Sequence, residues 1–552
     1  YQITISDTYQ RKRDNNNFLS ANSSFKMKKV EFKATINFNY LMPWERAAND
    51  LTILGESINT NFDATSITLK KPELTAGLGF FYQINESNDL SISGNGTLLE
   101  NNFVNTTYST HLENTILDSI ITKNRSNDKR KSLNTLVNYN HTFKKNGHVF
   151  AGFQYGAFDQ NGQSNISNNS NSTGMLDAQV RDQYYHVDVY SQRIDYDKMI
   201  KDKVKIELGG LYQLANAKTD FSILDLELNE VSGSEYRHDE INYAYYGQLS
   251  GTVKKISWVA GVRVESTNIA GGYVDSIDLT IEKHYTNIFP KANINIPIDS
   301  TKSVNLNYAK SINRPNYSST SQGSTYLNPY VVFNRNINLN PTITDEVSAT
   351  FSFKTNYISV RYYQASNPIY SSFVLDTVAD LITFSAVNYK KASGINLDLS
   401  VPLSYKKWSS ENVLSLVINK IEDPNALSIQ VEPYLYYYSG HSIYLPKEIL
   451  LSVIVWGLTA QKEGVFTRNS IFNLGFALNK KFFNQIDCTI GMNDVFRQMN
   501  YFEDFTINNI VDNGKYYTDS QAIYISLKYK IGGFKKSRYK ERSVDENQNR
   551  IR

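Results

Sequence analysis

The stretch INLDLSVPLSY, residues 395–405, decides the fold. Ile395, Leu397, Leu399, Val401, Leu403 and Tyr405 alternate with Asn396, Asp398, Ser400, Pro402 and Ser404. A period of two places one set on each face of a β-strand. The pattern recurs outward from there. Phe32, Ala34, Ile36, Phe38 and Tyr40 alternate with charged and polar partners, as do Phe472–Leu478 and Ile523–Ile531. Helical spacing of apolar residues is hard to find anywhere.

Composition agrees. The chain has 552 residues, with 39 Tyr and 28 Phe against 12 Pro, and aromatic enrichment favours strands. A net charge of +3 is too small to argue for nucleic acid. One cysteine, Cys488, excludes an intrachain disulfide and a cysteine zinc cluster. The most apolar run, Ile449 to Leu458, is about half the roughly 20 residues a membrane helix needs. Tyr1 begins in mid-pattern, without a signal peptide or initiating Met, which fits a mature protein or a piece of one.

Strands with one apolar face suit a soluble sandwich or a membrane barrel. Many segments exceed the roughly 10 residues of a tilted membrane strand. The connections favour the barrel. Short ones at Asn85–Asp89, Lys144–His148, Asp197–Lys203, Lys254–Ser257, Ile298–Ser303, Lys354–Tyr357, Lys406–Ser409 and Lys480–Gln485 alternate with long polar ones. The long ones include Met42–Thr65, Asn114–Asp128, Gln160–Val180, Thr219–Glu240, Asn268–His284, Ser311–Asn340 and Gln364–Leu381. Tight turns on one side and long loops on the other define a transmembrane barrel. Tyr434, Tyr436, Tyr437 and Tyr438 form one candidate interfacial girdle cluster.

The count is about 21 strands. An even number with both ends on the short-turn side predicts about 22. Tyr1–Tyr9 then runs toward that side, and its partner lies upstream of Tyr1. The expected division is an outer-membrane barrel over 1–533 and a charged, solvated tail over 534–552, FKKSRYKERSVDENQNRIR.

Three stretches resemble TonB-dependent outer-membrane receptors of Gram-negative bacteria. Asn242–Thr267 looks like their strand, short turn and G-x-R-x-E strand, and Tyr285–Pro315 like their F-P strand and the strand ending S-I-N-R-P. Tyr326–Glu346 resembles the adjoining loop, where Ile337, Asn338 and Asn340 depart from the usual G-N-P-x-L-x-P. Ile490–Tyr501 and Ala522–Gly532 look like the family's final strands. The resemblance implies a barrel of 22 strands in the outer membrane, closed by an N-terminal plug and energised by TonB. Neither plug nor TonB motif is visible in the sequence, so either the plug lies upstream of Tyr1 or another molecule fills the lumen.

Charge on a lipid face near the midplane costs about 2–4 kcal/mol for Arg or Lys. Arg263 and Glu265 are therefore expected in the lumen, as are Asn305, Asn307, Asn396 and Asp398. An ion pair across neighbouring strands is the simpler reading of the first two. Tyr317, Tyr326, Tyr330, Phe333 and Arg335 are anchors for a ligand or partner in a long loop, or else side chains packing that loop on its neighbours. His238, Asp239 and Glu240 cluster in a predicted loop but match no metal-ligand spacing. His186 and Asp188 share a strand face and suit a lumen hydrogen bond. Asp118-Ser119-Ile120, Asp275-Ser276-Ile277 and Asp376-Thr377-Val378 resemble O-glycosylation acceptors in predicted long loops. No nucleophile–base constellation is legible, so no enzyme, cofactor or metal is expected. Two functions remain: a transporter importing a ligand, or a transport-inactive scaffold holding surface lipoproteins or other outer-membrane subunits.

Overall fold

The computed structural model describes residues 1–144, 146–172, 174–201, 203–274, 280–321, 323–376, 381–533, 542–544 and 548–551, without the side chains of 175–177 and 548. Twenty-two strands run up and down around a closed antiparallel barrel. The first, Gln2–Arg11, pairs with the second, Asn15–Met27, and with the last, Ala522–Gly532. The latter register runs from Gln2↔Gly532 to Arg11↔Ile523. A closed barrel has no free edge and satisfies its backbone groups internally, as a bilayer demands.

The apolar faces point outward. Ile36 is 51%, Leu78 73% and Ile194 62% exposed on the isolated chain, while inward Glu31 and Asn138 are each 1% exposed. Leu397 and Leu399 are exposed as well, so the alternation read from 395–405 faces lipid.

Four expectations are corrected. The missing first strand is not needed to close the barrel, because residues 2–532 supply all 22. With Tyr1–Tyr9 running toward the short turns, only one turn fits before Met42. The structure has two, at Lys12–Asp14 and at Lys28–Lys29. Tyr1 thus starts on the short-turn side.

Most predicted long loops are strand. The strands between Ile58 and Val253 are 22 to 27 residues long. Over half of each stands beyond the bilayer as a tall outer wall. There both faces meet water, so alternation fades while the ladder persists. Residues 160–170, His238–Glu240 and Asp118–Ile120 belong to this wall rather than to loops. Residues 275–279 and 377–380 lie outside the described residues, and with them the second acceptor motif and most of the third. His186 Nε2 and Asp188 Oδ2 do bond at 2.8 Å, but on the outer face, since Tyr185, Val187 and Val189 take the inner one.

The tyrosine cluster divides. Tyr434, Tyr436 and Tyr438 share the inward face with Val417, Ser415 and Val413, and Tyr437 turns outward with Leu414. Consecutive strand residues cannot share a face.

The tail is not wholly solvated: it docks in the lumen through Val544, Arg550 and Ile551. Val544 and Ile551 are buried among lumen-facing residues. Sparse apolar residues in a charged segment read as solvent-loving. Here the lumen wall supplies the matching surface.

The first three strands are short, at 10, 13 and 12 residues. Above them a collar completes the wall. The strand Trp44–Ile53 pairs with Ile58–Gln83 on one side and with Ile510–Thr518 on the other, which forms a hairpin with Tyr501–Ile507. Inside the collar, the strands Ser324–Asn328, Val331–Asn334, Ile369–Asp376 and Leu381–Asn388 form a separate four-stranded sheet.

Candidate functional site: the extracellular mouth and upper lumen

The four-stranded sheet roofs the mouth. Its Val331, Phe373 and Ile382 join Leu51, Ile53, Phe62, Phe505, Ile507 and Ile510 of the wall and collar in one apolar core. Polar pins fix it to the tall strands. Asn168 Nδ2 donates to the Tyr326 hydroxyl at 2.7 Å, and Asn328 Nδ2 donates to Ser109 Oγ at 2.8 Å. The Tyr330 ring stacks on His111 with centroids 3.7 Å apart. Arg181 lies over Tyr326 at 4.6 Å.

The loop candidates therefore divide. Tyr317 is fully buried and Tyr326 nearly so, while Tyr330 is half-buried. All three hold the loop to the wall. Phe333 remains 36% exposed and packs on Phe384. Arg335 Nη1 donates to Ser321 Oγ at 2.9 Å and faces the Tyr185 ring at 6.0 Å.

The six lumen candidates all point inward, along one arc of adjacent strands. Arg263 forms an ion pair with Glu265, two residues on along the same face. Glu265 also receives Arg314 Nη2 at 2.5 Å, and the same nitrogen reaches Thr267 Oγ1 at 3.2 Å. The arginine of S-I-N-R-P thus closes on the glutamate of G-x-R-x-E. Asn305 and Asn293 exchange amide hydrogen bonds across two strands at 3.0 and 3.2 Å. Asn307 shares that face, since Leu306 between the two points outward. With its amide turned to suit its neighbours, Asn396 accepts from Arg361 Nη2 at 2.7 Å. Asp398 lies one step further along the same inward face. Only Arg263 and Glu265 meet the loop, through Arg314.

Two features escaped the sequence reading. Arg468 bridges Glu463 and Glu503, 2.7 Å from the latter, and tethers the collar hairpin to its neighbour. Glu240 receives a bidentate clamp from Arg550, Nη1 to Oε1 at 2.6 Å and Nη2 to Oε2 at 2.8 Å. The inward apolar run Val187, Val189, Ala215 and Ala217, out of place in a wet lumen, was the available signal for the second.

One open cavity of about 630 Å³ lies on the outer face of the wall, by Asp50, Asn61, Asp63, Thr110 and Lys515. Another of about 590 Å³ lies between the roof and the collar, by Ser372, Asn425 and Asn508. Among the described residues no cluster of His, Cys, Asp or Glu is arranged to hold a metal.

A closed barrel with lipid-facing apolar strands, short turns on one side and a roofed mouth on the other defines an outer-membrane β-barrel protein. The chain belongs to the outer membrane protein beta-barrel family, whose profile matches residues 141–529, and it resides in the outer membrane of a Gram-negative bacterium. No curated protein matches the sequence. Solved structures with this fold include the copper transporter OprC, at TM-score 0.65 and 10% identity, over 96% of this chain and 82% of that one. The ferric yersiniabactin uptake receptor FyuA from Yersinia pestis aligns at 0.64 and 8%, over 96% and 80%. The ferric-catecholate import receptor Fiu from K12 E. coli aligns at 0.62 and 8%, over 96% and 81%. The resemblance to the barrel portion of TonB-dependent receptors is borne out at the level of fold.

Proposed function

We propose that the protein is an uptake receptor. A ligand is gathered at the rim between roof and collar and passes inward along the lumen wall, with a plug and TonB supplying the energised step. The observation that carries this reading is the mouth itself. Tall polar walls, a pinned roof and an open cavity between roof and collar are costly elaborations for a barrel that only fills a membrane. The similar structures, a copper transporter, a ferric-catecholate import receptor and a ferric yersiniabactin uptake receptor, support import as the shared theme.

Phe333 and Arg335 remain the loop residues proposed to meet a ligand. Arg263, Glu265, Asn305, Asn307, Asn396 and Asp398 are proposed as the inner polar lining it encounters next. No covalent chemistry is assigned to any of them.

The test is depletion of defined mixtures by cells with and without the gene. Three probes serve: ferric siderophores, oligosaccharides and a tryptic peptide digest, each read by mass spectrometry. Import predicts that one class disappears faster with the protein present and that a protonophore abolishes the gain. Equal depletion of all three overturns it.

One observation favours a second reading, that of a scaffold. The lumen holds part of the chain's own tail. A scaffold predicts that the barrel copurifies in fixed ratio with a lipoprotein or another outer-membrane subunit and that depletion stays flat.

A further inference from the structure

The lumen of a membrane barrel is ordinarily polar. One arc of this lumen is not. Leu136, Phe150, Leu211 and Ala244 form a lower apolar patch, and Phe158, Val187, Val189, Ala215 and Ala217 an upper one. Val544 fills the first and Ile551 the second.

The wall is shaped for them. A Cβ on Gly152 would stand 2.4 Å from Val544 Cγ2, and one on Gly156 would stand 2.6 Å from Ile551 Cδ1. Both glycines lie on the inward face of the strand Gly147–Ser170, four residues apart. Each leaves the gap that one aliphatic side chain enters.

Polar groups fix the segment at both ends. Asn138 Nδ2 donates to the Arg542 carbonyl at 3.0 Å, and the Val544 N–H donates to Gln154 Oε1 at 3.0 Å. The Arg542 guanidinium pairs with Asp195 and lies over the Phe150 ring at 4.4 Å. At the other end the Tyr317 N–H donates to the Arg550 carbonyl at 3.1 Å. The Arg550 side chain is enclosed. Besides its two bonds to Glu240, Nε donates to the Pro315 carbonyl at 2.9 Å and Nη1 to the Tyr317 hydroxyl at 3.1 Å. The Tyr317 ring caps it at 4.1 Å. Planar bidentate recognition plus an aromatic lid selects guanidinium over ammonium. Glu240 is itself 2% exposed, and His238 Nε2 stands 3.9 Å from it. A carboxylate so enclosed is costly without its partner.

We propose that this arc is a peptide-recognition groove, specific for an arginine beside aliphatic residues, and that its occupant is the chain's own tail, held through Arg542, Val544, Arg550 and Ile551 as an internal ligand of the lumen. This goes beyond the uptake reading and does not depend on it. A transporter and a scaffold could both carry such a groove.

The test is a disulfide trap in the full-length protein, in a Cys488→Ser background, in isolated outer membranes. Gly152→Cys with Val544→Cys places the two sulfurs in the position now shared by the glycine gap and the valine methyl. Cross-linking is followed over time by mass spectrometry of the linked peptide, and heat-modifiable migration on gels confirms that each variant is folded. The pair is expected to link spontaneously. Adding Arg550→Ala, Arg550→Lys or Glu240→Gln is expected to slow linking at least tenfold for Ala and Gln, with Lys in between. No linking in a folded barrel overturns the proposal. So does linking at an unchanged rate in both Arg550→Ala and Glu240→Gln, since the guanidinium would then not be the anchor.

Discussion

Arg314 Nη2 lies 2.5 Å from Glu265 Oε2, both side chains 4% exposed. The two residues are 49 positions apart in sequence and come from different strand ends. Their contact joins the root of the roof loop to the barrel wall. Removing one partner of a buried pair leaves an uncompensated charge. Arg314→Leu is expected to cost about 3 kcal/mol, toward the low end of such losses because Arg263 still neutralises Glu265. Denaturant unfolding in micelles measures it. A cost near zero would mean that water reaches Glu265.

Lipid-facing and lumen-facing positions on one strand should answer differently to charge. Leu78→Arg, on the outer face, is expected to cost about 2–4 kcal/mol near the midplane. Thr75→Arg, inward on the same strand, should cost less, mainly its hydrogen bond with Thr97, about 1 kcal/mol. Equilibrium unfolding in lipid vesicles separates the two. Equal costs would contradict the assigned faces.

The collar should loosen as pH rises. Asp512 is fully buried beside Asn49, whose Nδ2 donates to it at 2.8 Å. Burial first, then the nearby Glu503, Asp504 and Asp50, push its carboxyl up to about 7 from the ordinary 3.8. A raised folded value means that the folded collar holds a proton the unfolded chain has lost. Its contribution is intact below about pH 4 and falls away as pH climbs to about 7, by at most about 4 kcal/mol. Hydrogen exchange of residues 501–518 from pH 5 to 8 reads this. Asp512→Asn keeps the acceptor and should flatten the profile.

The roof pins are separable from the barrel. Tyr326→Phe removes the hydroxyl that Asn168 donates to and is expected to cost about 1 kcal/mol. The effect should appear as faster exchange at 324–334 with no change in the transmembrane ladder. Faster exchange throughout would mean that roof and barrel unfold together.

The transmembrane part was legible because lipid imposes alternation on every strand that crosses it. At 30–41, 395–400 and 523–531 the faces are as the pattern requires. Above the bilayer that pressure ends. Residues 160–170 read as a loop because Asn, Ser and Gly suit both faces of a wall wetted on both sides. The Lys28–Lys29 turn carries no Gly, Pro or Asn signal, although Lys28 adopts a positive φ of 35°. The roof was invisible because it is made by distant segments, with Val331–Asn334 lying parallel to residues of Leu381–Asn388. Of the candidate residues, the inward six followed from charge and parity alone. The loop five were found as a group, but their division into three pins, an exposed Phe333 and an Arg335 turned to Ser321 and Tyr185 depends on the roof. Arg550 and Arg468 were two charges among 57 basic residues until folding placed a carboxylate against each.

The zipper between Gln2–Arg11 and Ala522–Gly532 makes closure depend on strands from opposite ends of the barrel segment. Until the two meet, each presents a bare edge. Whatever chaperone or insertion machine handles the nascent chain has to shield both edges throughout. A ribosome stalled before residue 522 would release an unclosable ribbon, prone to pairing with its neighbours instead of with itself.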